Sequence, residues 1–486
     1  MTRKYRSYRL EVDPLRNDRA VEVLLADLSR PHMRAFHCAW WSCHVGFVLW
    51  FSISPLLSEI EDSLELTDYY VYLSNIAGIS ATVITRFLLG PLCHTIGPRV
   101  LTSCVLAVAS VAVALIGTIN GPTSLILIRS CLGIAGGTVV TSQYWATRMF
   151  THEIIGTTTA MIGGWGNLGA VMTQLLFGNN LIPMFKRIAG SETDLIWRTT
   201  ALIPSAVGFA AAIIVYRVSE DDPRGTFAEL REKGVMPHVS ARTAAVRAVS
   251  NPNTWILAMQ YAGSFGVELT MQTASAQYFV DTFDQNRESA FALAAVFGWM
   301  NILARAMGGY MSDKLNSRYG MRGRLLTQLF LLLSEAVFVV LFAQSTRLFY
   351  AIATMIIFSG FVQAAGGSTF AIVPYVDPPS TGAVMGIVGG CGSAAAIVFS
   401  IAFRYMDYQT AFLIMSLTVF VSAGLTCCIF IKDYASLGFG EIEGAEFAAC
   451  HDVLYLERSE TTTATSGMDQ SGKQRSIKDT SSKNVI

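Results

Sequence analysis

The stretch "SNIAGISATVITRFLLGPLC", Ser74 to Cys93, is long and apolar enough to cross a membrane, yet it contains one arginine, Arg86. A helix of about 20 residues spans the hydrocarbon core of a bilayer. An arginine at the centre of such a helix costs roughly 2.5 kcal/mol or more, so residues of this kind face a protein interior and have a functional partner. The first question is therefore what Arg86 meets.

Similar apolar runs recur along the whole chain. Its 486 residues are 52% hydrophobic and only 14% charged. We expect twelve membrane-spanning helices, centred near residues 46, 81, 108, 133, 168, 206, 267, 301, 333, 358, 392 and 421. A net charge of zero argues against a nucleic-acid partner, and the nine cysteines show no CxxC pair or metal-ligand spacing. The composition predicts an all-α membrane protein in a lipid bilayer, with no metal or other cofactor.

Polar segments divide the chain into five parts. We expect an N-terminal segment (1–33), a six-helix half (34–218), a central loop (219–253), a second six-helix half (254–432) and a largely disordered tail (433–486). The N-terminal segment, the central loop and the loop after the eighth span are basic, whereas the loop after the first span, "SEIEDSLELTD", has no Lys or Arg. Because basic loops stay in the cytoplasm, both termini are expected there.

Two pairs of motifs reveal an internal repeat. The segments "RFLLGPLCH" (Arg86 to His94) and "RAMGGYMSD" (Arg305 to Asp313) each place an arginine, a glycine and a polar residue four positions apart, and they lie 219 residues apart. The segments "GGWGNLG" and "GGCGSAA" (163–169 and 389–395) lie 226 residues apart. Two related halves are typical of a transporter whose site lies between them near the membrane midplane.

The two arginines of the repeat are the strongest site candidates. Arg86 and Arg305 lie eight residues from a polar loop position, which is about 12 Å along a helix, close to half of the ~30 Å core. An anion between them would relieve their repulsion, and planar guanidinium groups suit a planar oxyanion. The alternative is a structural pair bonded to backbone carbonyls, but the equivalent positions in both halves favour an anion site. Asn167, inside a glycine run, is expected to point into the same cavity.

Four longer segments match a known family. They read "SQYWATRMFTHEIIGTTTAMIGGWGNLGAVMTQLLFG", "YAGSFGVELTMQTASAQYF", "RAMGGYMSDKLNSRYGMRGR" and "AAGGSTFAIVPYV". They resemble the nitrate/nitrite porters of the major facilitator superfamily, and within them the eukaryotic high-affinity nitrate transporters. The similarity covers roughly Met33 to Lys432. It implies the twelve-helix major facilitator fold and a multi-pass location in the plasma membrane.

The resemblance also assigns roles to individual residues. It implies that Arg86 and Arg305 clamp the anion and that Asn167 lies in the first nitrate signature. Tyr261 and Phe265, one helical turn apart, would line the site, with Phe265 stacking on the flat anion.

Two positions depart from the family pattern. The second nitrate signature normally carries an asparagine where this chain has Ser393, so a shorter donor would alter affinity or the preference between nitrate and nitrite. The superfamily loop motif normally has an aspartate where this chain has His94, while its counterpart Asp313 is intact. Together with Gly90 and Gly309, these two residues are the expected gating positions, and the substitution predicts a changed gating balance.

The remaining candidates concern coupling. Glu268 would either take up a proton or neutralise an arginine. His44 titrates near neutrality in water, although a single histidine among apolar neighbours is more often a hydrogen-bonded core residue.

Taken together, the residues and the resemblance predict a transporter that imports nitrate, and also nitrite, by alternating access with proton symport. Nitrate/nitrite exchange and a nitrate sensor with little flux are the alternatives. An enzyme is excluded because no nucleophile, base and orienting group recur at usable spacing. The sequence leaves open whether an accessory membrane protein is needed.

Overall fold

The computed structural model describes residues 8–177, 181–182, 184–185, 193–235 and 240–438. Most of the predicted C-terminal tail (433–486) lies outside these residues. The described chain forms twelve long helices. Their bounds are α1 (His32–Phe51), α2 (Asp68–Ile96), α3 (Pro98–Ala114), α4 (Pro122–Leu132 and Thr138–Met149), α5 (Ile155–Leu176), α6 (Leu202–Val218), α7 (Pro252–Tyr261 and Val267–Phe283), α8 (Arg287–Trp299 and Ala304–Tyr319), α9 (Met321–Ala343), α10 (Leu348–Val376), α11 (Thr381–Tyr405) and α12 (Tyr408–Gly424). Ten predicted centres fall within them, and those at 133 and 301 fall in short 3-10 turns that join the two parts of α4 and of α8.

Three of these helices change their winding near the middle. A 3-10 turn, Gly133–Gly137, joins the two parts of α4, and another, Met300–Ile302, interrupts α8. The two parts of α7 are joined by a π-helical turn, Ala262–Gly266. Such π turns are frequent at functional sites, because the extra residue per turn redirects the side chains on either side of it.

Among the described helices, ten are long and apolar enough to cross a membrane by themselves, and α5 and α7 are not among them. The reason lies in their sequences, because α5 contains a run of threonines and glycines and α7 contains Gln260 and Glu268, both buried. Residues of these kinds are suited to the boundary between the two halves rather than to lipid. The prediction of twelve spans in two related six-helix halves is confirmed.

Glycines bring the two halves into close contact at two equivalent places. A Cβ atom on Gly90 of α2 would lie 2.5 Å from the carbonyl oxygen of Gly382 at the start of α11. A Cβ atom on Gly309 of α8 would lie 2.1 Å from the carbonyl oxygen of Gly156 at the start of α5. The repeat relates Gly90 to Gly309 and Gly156 to Gly382, so the same backbone contact occurs twice across the pseudo-symmetry.

The basic segments gather at one end of the bundle, which we call the basic end. The indole Nε1 of Trp145 at the end of α4 donates to the carbonyl of Glu220 in the central segment, at 2.8 Å. The backbone of Thr151 bonds to Ala20 in a two-stranded hairpin, Val12–Asp13 and Arg19–Ala20.

The central segment also reaches the second half at this end. It contains two short helices, Phe227–Glu232 and Ala241–Ser250, and Arg247 of the second pairs with Asp377 between α10 and α11 at 2.6 Å. The opposite, acidic end carries the short helix Leu57–Ser63 of the loop after α1.

Candidate functional site

Arg86 lies in the middle of α2 and is fully buried between the halves. Its Nε donates to the carbonyl of Gly136 in α4 at 2.9 Å, and its Nη1 donates to the carbonyl of Gly389 in α11 at 2.7 Å. Its Nη2 has no hydrogen-bond partner among the described residues. Both partners are neutral, so the predicted carbonyl-bonded arginine describes part of the observed geometry, and one donor group remains for a ligand.

Arg305 occupies the equivalent position in α8 but has different partners. Its Nη1 lies 3.1 Å from the Oε2 of Glu268 and 3.3 Å from the Oε1 of Gln363. Its Nη2 donates to the phenol oxygen of Tyr261 at 3.0 Å. The charge of Arg305 is therefore balanced by a carboxylate, whereas that of Arg86 is not.

Glu268 is the centre of a hydrogen-bond network that connects the two halves. Its Oε1 accepts from the Nδ2 atoms of Asn167 at 3.0 Å and Asn301 at 2.8 Å, and its Oε2 accepts from Asn167 at 3.2 Å as well as from Arg305. Glu268 is 1% exposed, and Arg305 and Asn167 are each 2% exposed. In a water-free setting a carboxylate requires several donors of this kind. The structure thus makes Glu268 the counter-ion of Arg305.

Two aromatic rings link the arginines. Tyr261 and Phe265 stack with ring centroids 5.1 Å apart and planes 4° apart. The guanidinium carbon of Arg86 lies 4.9 Å from the centroid of Phe265, and Arg305 bonds to the hydroxyl of Tyr261. A Cβ atom on Gly392 of α11 would lie 2.6 Å from the Tyr261 ring, so this glycine makes room for the stack.

Ser393 has a different environment from its counterpart Asn167, although the repeat relates the two positions. Its hydroxyl is fully buried and has no hydrogen-bond partner among the described residues. Asn167 reaches a carboxylate across the boundary between the halves, whereas the shorter serine reaches no partner. The polar network therefore lies on one side of the pseudo-symmetry axis.

His44 lies outside the network. Its Nδ1 is 3.0 Å from the carbonyl oxygen of Trp165 in α5, and its own carbonyl lies against Gly169, where a Cβ atom would approach it to 2.2 Å. These contacts hold α1 against α5 within the first half. They match the hydrogen-bonded core histidine that the sequence offered as the alternative to coupling.

At the basic end, the gating candidates Asp313 and His94 each bind the start of a helix in the opposite half, and we call these two contacts latches. The Oδ1 of Asp313 accepts from the backbone amide of Gly156 at 3.0 Å, and its Oδ2 accepts from that of Thr157 at 2.6 Å. In the equivalent latch, the Nε2 of His94 accepts from the backbone amide of Gly382 at 3.0 Å.

Both latches act on a helix N-terminus, where backbone amides are unpaired and an acceptor is stabilised. Because a backbone amide can only donate, Nε2 of His94 is unprotonated, and Nδ1 is free to donate to the Tyr144 hydroxyl at 3.1 Å. The substitution of histidine for the family's aspartate therefore keeps the acceptor and removes the charge.

Three site residues were not predicted from the sequence. Asn301 and Gln363 contact the Glu268–Arg305 pair directly. Gln143 donates to the carbonyl of Thr159. A Cβ atom on Gly163 would lie 2.6 Å from the side-chain amide nitrogen of Gln143. Asn301 precedes Arg305 by four residues, which places the two on one helix face. That spacing was a usable signal, whereas glutamines on other helices could be recognised only after packing.

Known proteins resemble this chain in sequence and in fold. The sequence profile of the Major Facilitator Superfamily matches residues 39–400. High-affinity nitrate transporter 2.3 of Oryza sativa subsp. japonica is 37% identical over 405 residues, covering 83% of this chain and 78% of that protein. The nitrate/nitrite transporter NrtP of Nostoc punctiforme is 22% identical over 469 residues, covering 82% and 92%.

A solved structure of the proton:xylose symporter XylE, bound to 6-bromo-6-deoxy-D-glucose, superposes with a TM-score of 0.60 at 12% identity. The match covers 81% of this chain and 95% of that chain. At this identity the similarity concerns the fold alone.

Proposed function

The chain belongs to the nitrate/nitrite porter family of the major facilitator superfamily, and from this premise we propose that it imports nitrate, and also nitrite, across the plasma membrane by proton symport. It is a transporter and not an enzyme. In the proposed orientation the basic end faces the cytoplasm with both termini, because short basic loops are retained there.

One observation carries the proposal. Two buried arginines, at equivalent positions in the two halves, approach the same stacked pair of aromatic rings, and one of them keeps a buried donor that has no partner among the described residues. A buried donor of this kind costs about 1–3 kcal/mol, and more when it is charged, so a ligand that accepts from it is strongly favoured. Nitrate has three acceptor oxygens in one plane, which suits bidentate donation by guanidinium.

The remaining candidates surround this anion. Arg86 and Arg305 hold it from opposite halves, and the rings of Tyr261 and Phe265 lie beside its flat face. Asn167 positions the carboxylate of Glu268, and the free hydroxyl of Ser393 offers one further donor from α11.

We assign coupling to protons to the ion pair between Arg305 and Glu268. While Glu268 is ionised, Arg305 is neutralised and attracts a second anion poorly. When Glu268 takes up a proton, Arg305 regains a free charge, which nitrate then balances. Import of a monovalent anion against an inside-negative potential needs more than one positive charge for each anion. The proton carried by Glu268 supplies part of that requirement.

Alternating access is assigned to the latches. Opening toward the cytoplasm requires the side chains of His94 and Asp313 to leave the helix N-termini that they bind. The backbone contacts at Gly90 and Gly309 must also separate. Asp313 is also held by Arg324 at 2.8 Å, so this latch is expected to be the stronger of the two.

The test is voltage-clamp recording in oocytes that express the full chain, with nitrate, nitrite, chloride or formate applied at an outside pH of about 5.5 and about 7.5. We expect an inward current that is selective for nitrate and nitrite and larger at the acid pH. Isotope-labelled uptake without current would indicate nitrate/nitrite exchange, because exchange of monovalent anions moves no net charge. Surface-expressed protein without uptake, also after co-expression of a candidate accessory protein, would contradict transport and leave a sensor.

A further inference from the structure

A third arginine lies within the membrane region, near the acidic end of the first half. Arg129 in α4 is half-buried, and its Nη1 donates to the hydroxyl of Ser74 at 3.1 Å while its Nη2 donates to the Oδ1 of Asn75 at 3.0 Å. Its hydrogen-bond partners among the described residues are all neutral. A guanidinium carries five donor hydrogens and a full positive charge. These bonds do not use all of its donors, and they do not neutralise its charge.

Arg129 faces a small cavity of about 20 Å³ between α1, α2 and α4. The cavity is lined by Trp50, Asn75, Gly78 and Leu132, with two isoleucines. It combines an apolar wall with one charged group and one amide, and such polar groups orient a small ligand.

Trp50 connects this cavity to the central site. Its ring lines the cavity, and the guanidinium carbon of Arg86 lies 5.8 Å from the ring centroid. A Cβ atom on Gly136 would lie 3.2 Å from this ring, and the carbonyl of Gly136 accepts from Arg86. Trp50 thus contacts both the cavity and Arg86, whose Nη2 has no hydrogen-bond partner among the described residues.

The equivalent positions of the second half do not carry this polar cluster. The offset that relates Arg86 to Arg305 places Leu293 and Ala294 at the positions of Ser74 and Asn75. Gly136 and Gly366 belong to matching "AGG" runs, and the offset between them places Ser359 at the position of Arg129. Packing of α2 against α4 therefore does not require a buried charge, since the related helices pack with apolar and small residues.

The surface at the acidic end of the bundle carries negative charge. The loop at the acidic end exposes Asp62, Glu65 and Asp68, which repel an approaching anion. We propose that Arg129 forms an outer binding site for a small monovalent oxyanion, which captures nitrate or nitrite on its way past Trp50 to Arg86. This inference rests on the proposed nitrate transport, and it adds a second site to it. Capture by a positive charge acts on the association step, so loss of this charge is expected to change mainly the KM for the anion.

The experiment compares three full-length variants in oocytes, with labelled nitrate uptake normalised to surface protein. Arg129→Gln is expected to raise KM for nitrate about five- to tenfold with little change in the maximal rate. Arg129→Lys keeps the charge and is expected to stay closer to the unmodified protein. Ser74→Ala removes one neutral contact of Arg129 but no charge, and its KM is expected within about twofold of the original. An equal rise of KM in Ser74→Ala and Arg129→Gln would show that Arg129 only braces the helices, and an unchanged KM in Arg129→Gln would overturn the site.

A binding measurement separates this inference from the proposed transport. Purified protein with Arg86→Lys, in which the central site is disabled, is titrated with chloride, and bound chloride is detected by its nuclear magnetic resonance line broadening. We expect broadening that nitrate reverses and that disappears when Arg129→Gln is added. Undiminished broadening in the double variant would contradict an anion site at Arg129, whether or not the protein transports nitrate.

Discussion

Replacing Glu268 by glutamine tests the coupling mechanism directly. Glutamine has nearly the same shape, keeps an acceptor oxygen for Asn167 and Asn301, and cannot ionise. In the proposed mechanism it imitates the protonated carboxyl. Arg305 then keeps its charge at every pH, and nitrate is the only anion left to balance it.

The size of the effect follows from the geometry of the pair. The Nη1 of Arg305 and the Oε2 of Glu268 are 3.1 Å apart, and both side chains are almost completely buried. Removing one partner of a buried ion pair leaves an uncompensated charge that costs about 3–5 kcal/mol. Nitrate recovers part of this cost when it binds. Recovery of about half corresponds to at least a tenfold gain in affinity at neutral pH.

The assay is the pH dependence of nitrate binding and of nitrate-evoked current. In Glu268→Gln, we expect the affinity near neutral pH to reach the value that the original protein shows in acid, and the ratio of acid to neutral current to fall to about one. Net transport should slow, because the anion is released less readily when no carboxylate returns to Arg305.

The matched control is Glu335→Gln. Glu335 in α9 is also a fully buried glutamate of the second half, but it has no hydrogen-bond partner among the described residues and does not contact either arginine of the clamp. Its replacement should leave the pH ratio unchanged. If Glu268→Gln keeps the original pH dependence, Glu268 is a permanent counter-ion and the proton is carried elsewhere.

Four further predictions follow from the site and the latches. Arg86→Lys and Arg305→Lys should each abolish high-affinity uptake at normal surface expression, since an ammonium cannot reproduce the two-atom contacts; retained uptake removes that arginine from the clamp. Ser393→Asn should shift the ratio of nitrate to nitrite affinity, measured by competition, and unchanged affinities would make the departure silent. His94→Asp should strengthen the latch by about 1 kcal/mol and lower the maximal current about fivefold, because a charged acceptor binds an amide more tightly than a neutral one. Gly309→Val should abolish transport, since its side chain would have to enter the space that backbone occupies, and normal current would show that the halves do not approach so closely.

Much of the architecture could be predicted from the sequence. The apolar runs located all twelve helices, and the two pairs of motifs related the halves before any packing was known. The weakest helices by hydropathy, α5 and α7, were still recognisable, because their polar residues are interspersed with small ones. Helix geometry also made Arg86 and Arg305 equivalent, since the spacing of each motif is local.

The differences between the halves could not be predicted in this way. Glu268 was equally compatible with carrying a proton and with neutralising an arginine, and nothing in α7 indicates which arginine it meets. Asn167 was expected to point toward an anion, whereas it bonds to this carboxylate. These contacts depend on how closely α5, α7 and α8 approach one another. Glycines at the interfaces between these helices determine that distance.

By itself, the sequence determined the number of helices, the two-fold repeat and the pair of membrane-buried arginines, because each depends on the order of residues along one helix or on a motif repeated in the chain. Only the tertiary structure decided that Arg305 is neutralised by Glu268, that Arg86 keeps a buried donor, and that His94 and Asp313 each accept from the N-terminus of a helix in the other half. Distances between helices far apart in sequence arise from packing, and a difference of a few ångströms decides whether two charges form a pair.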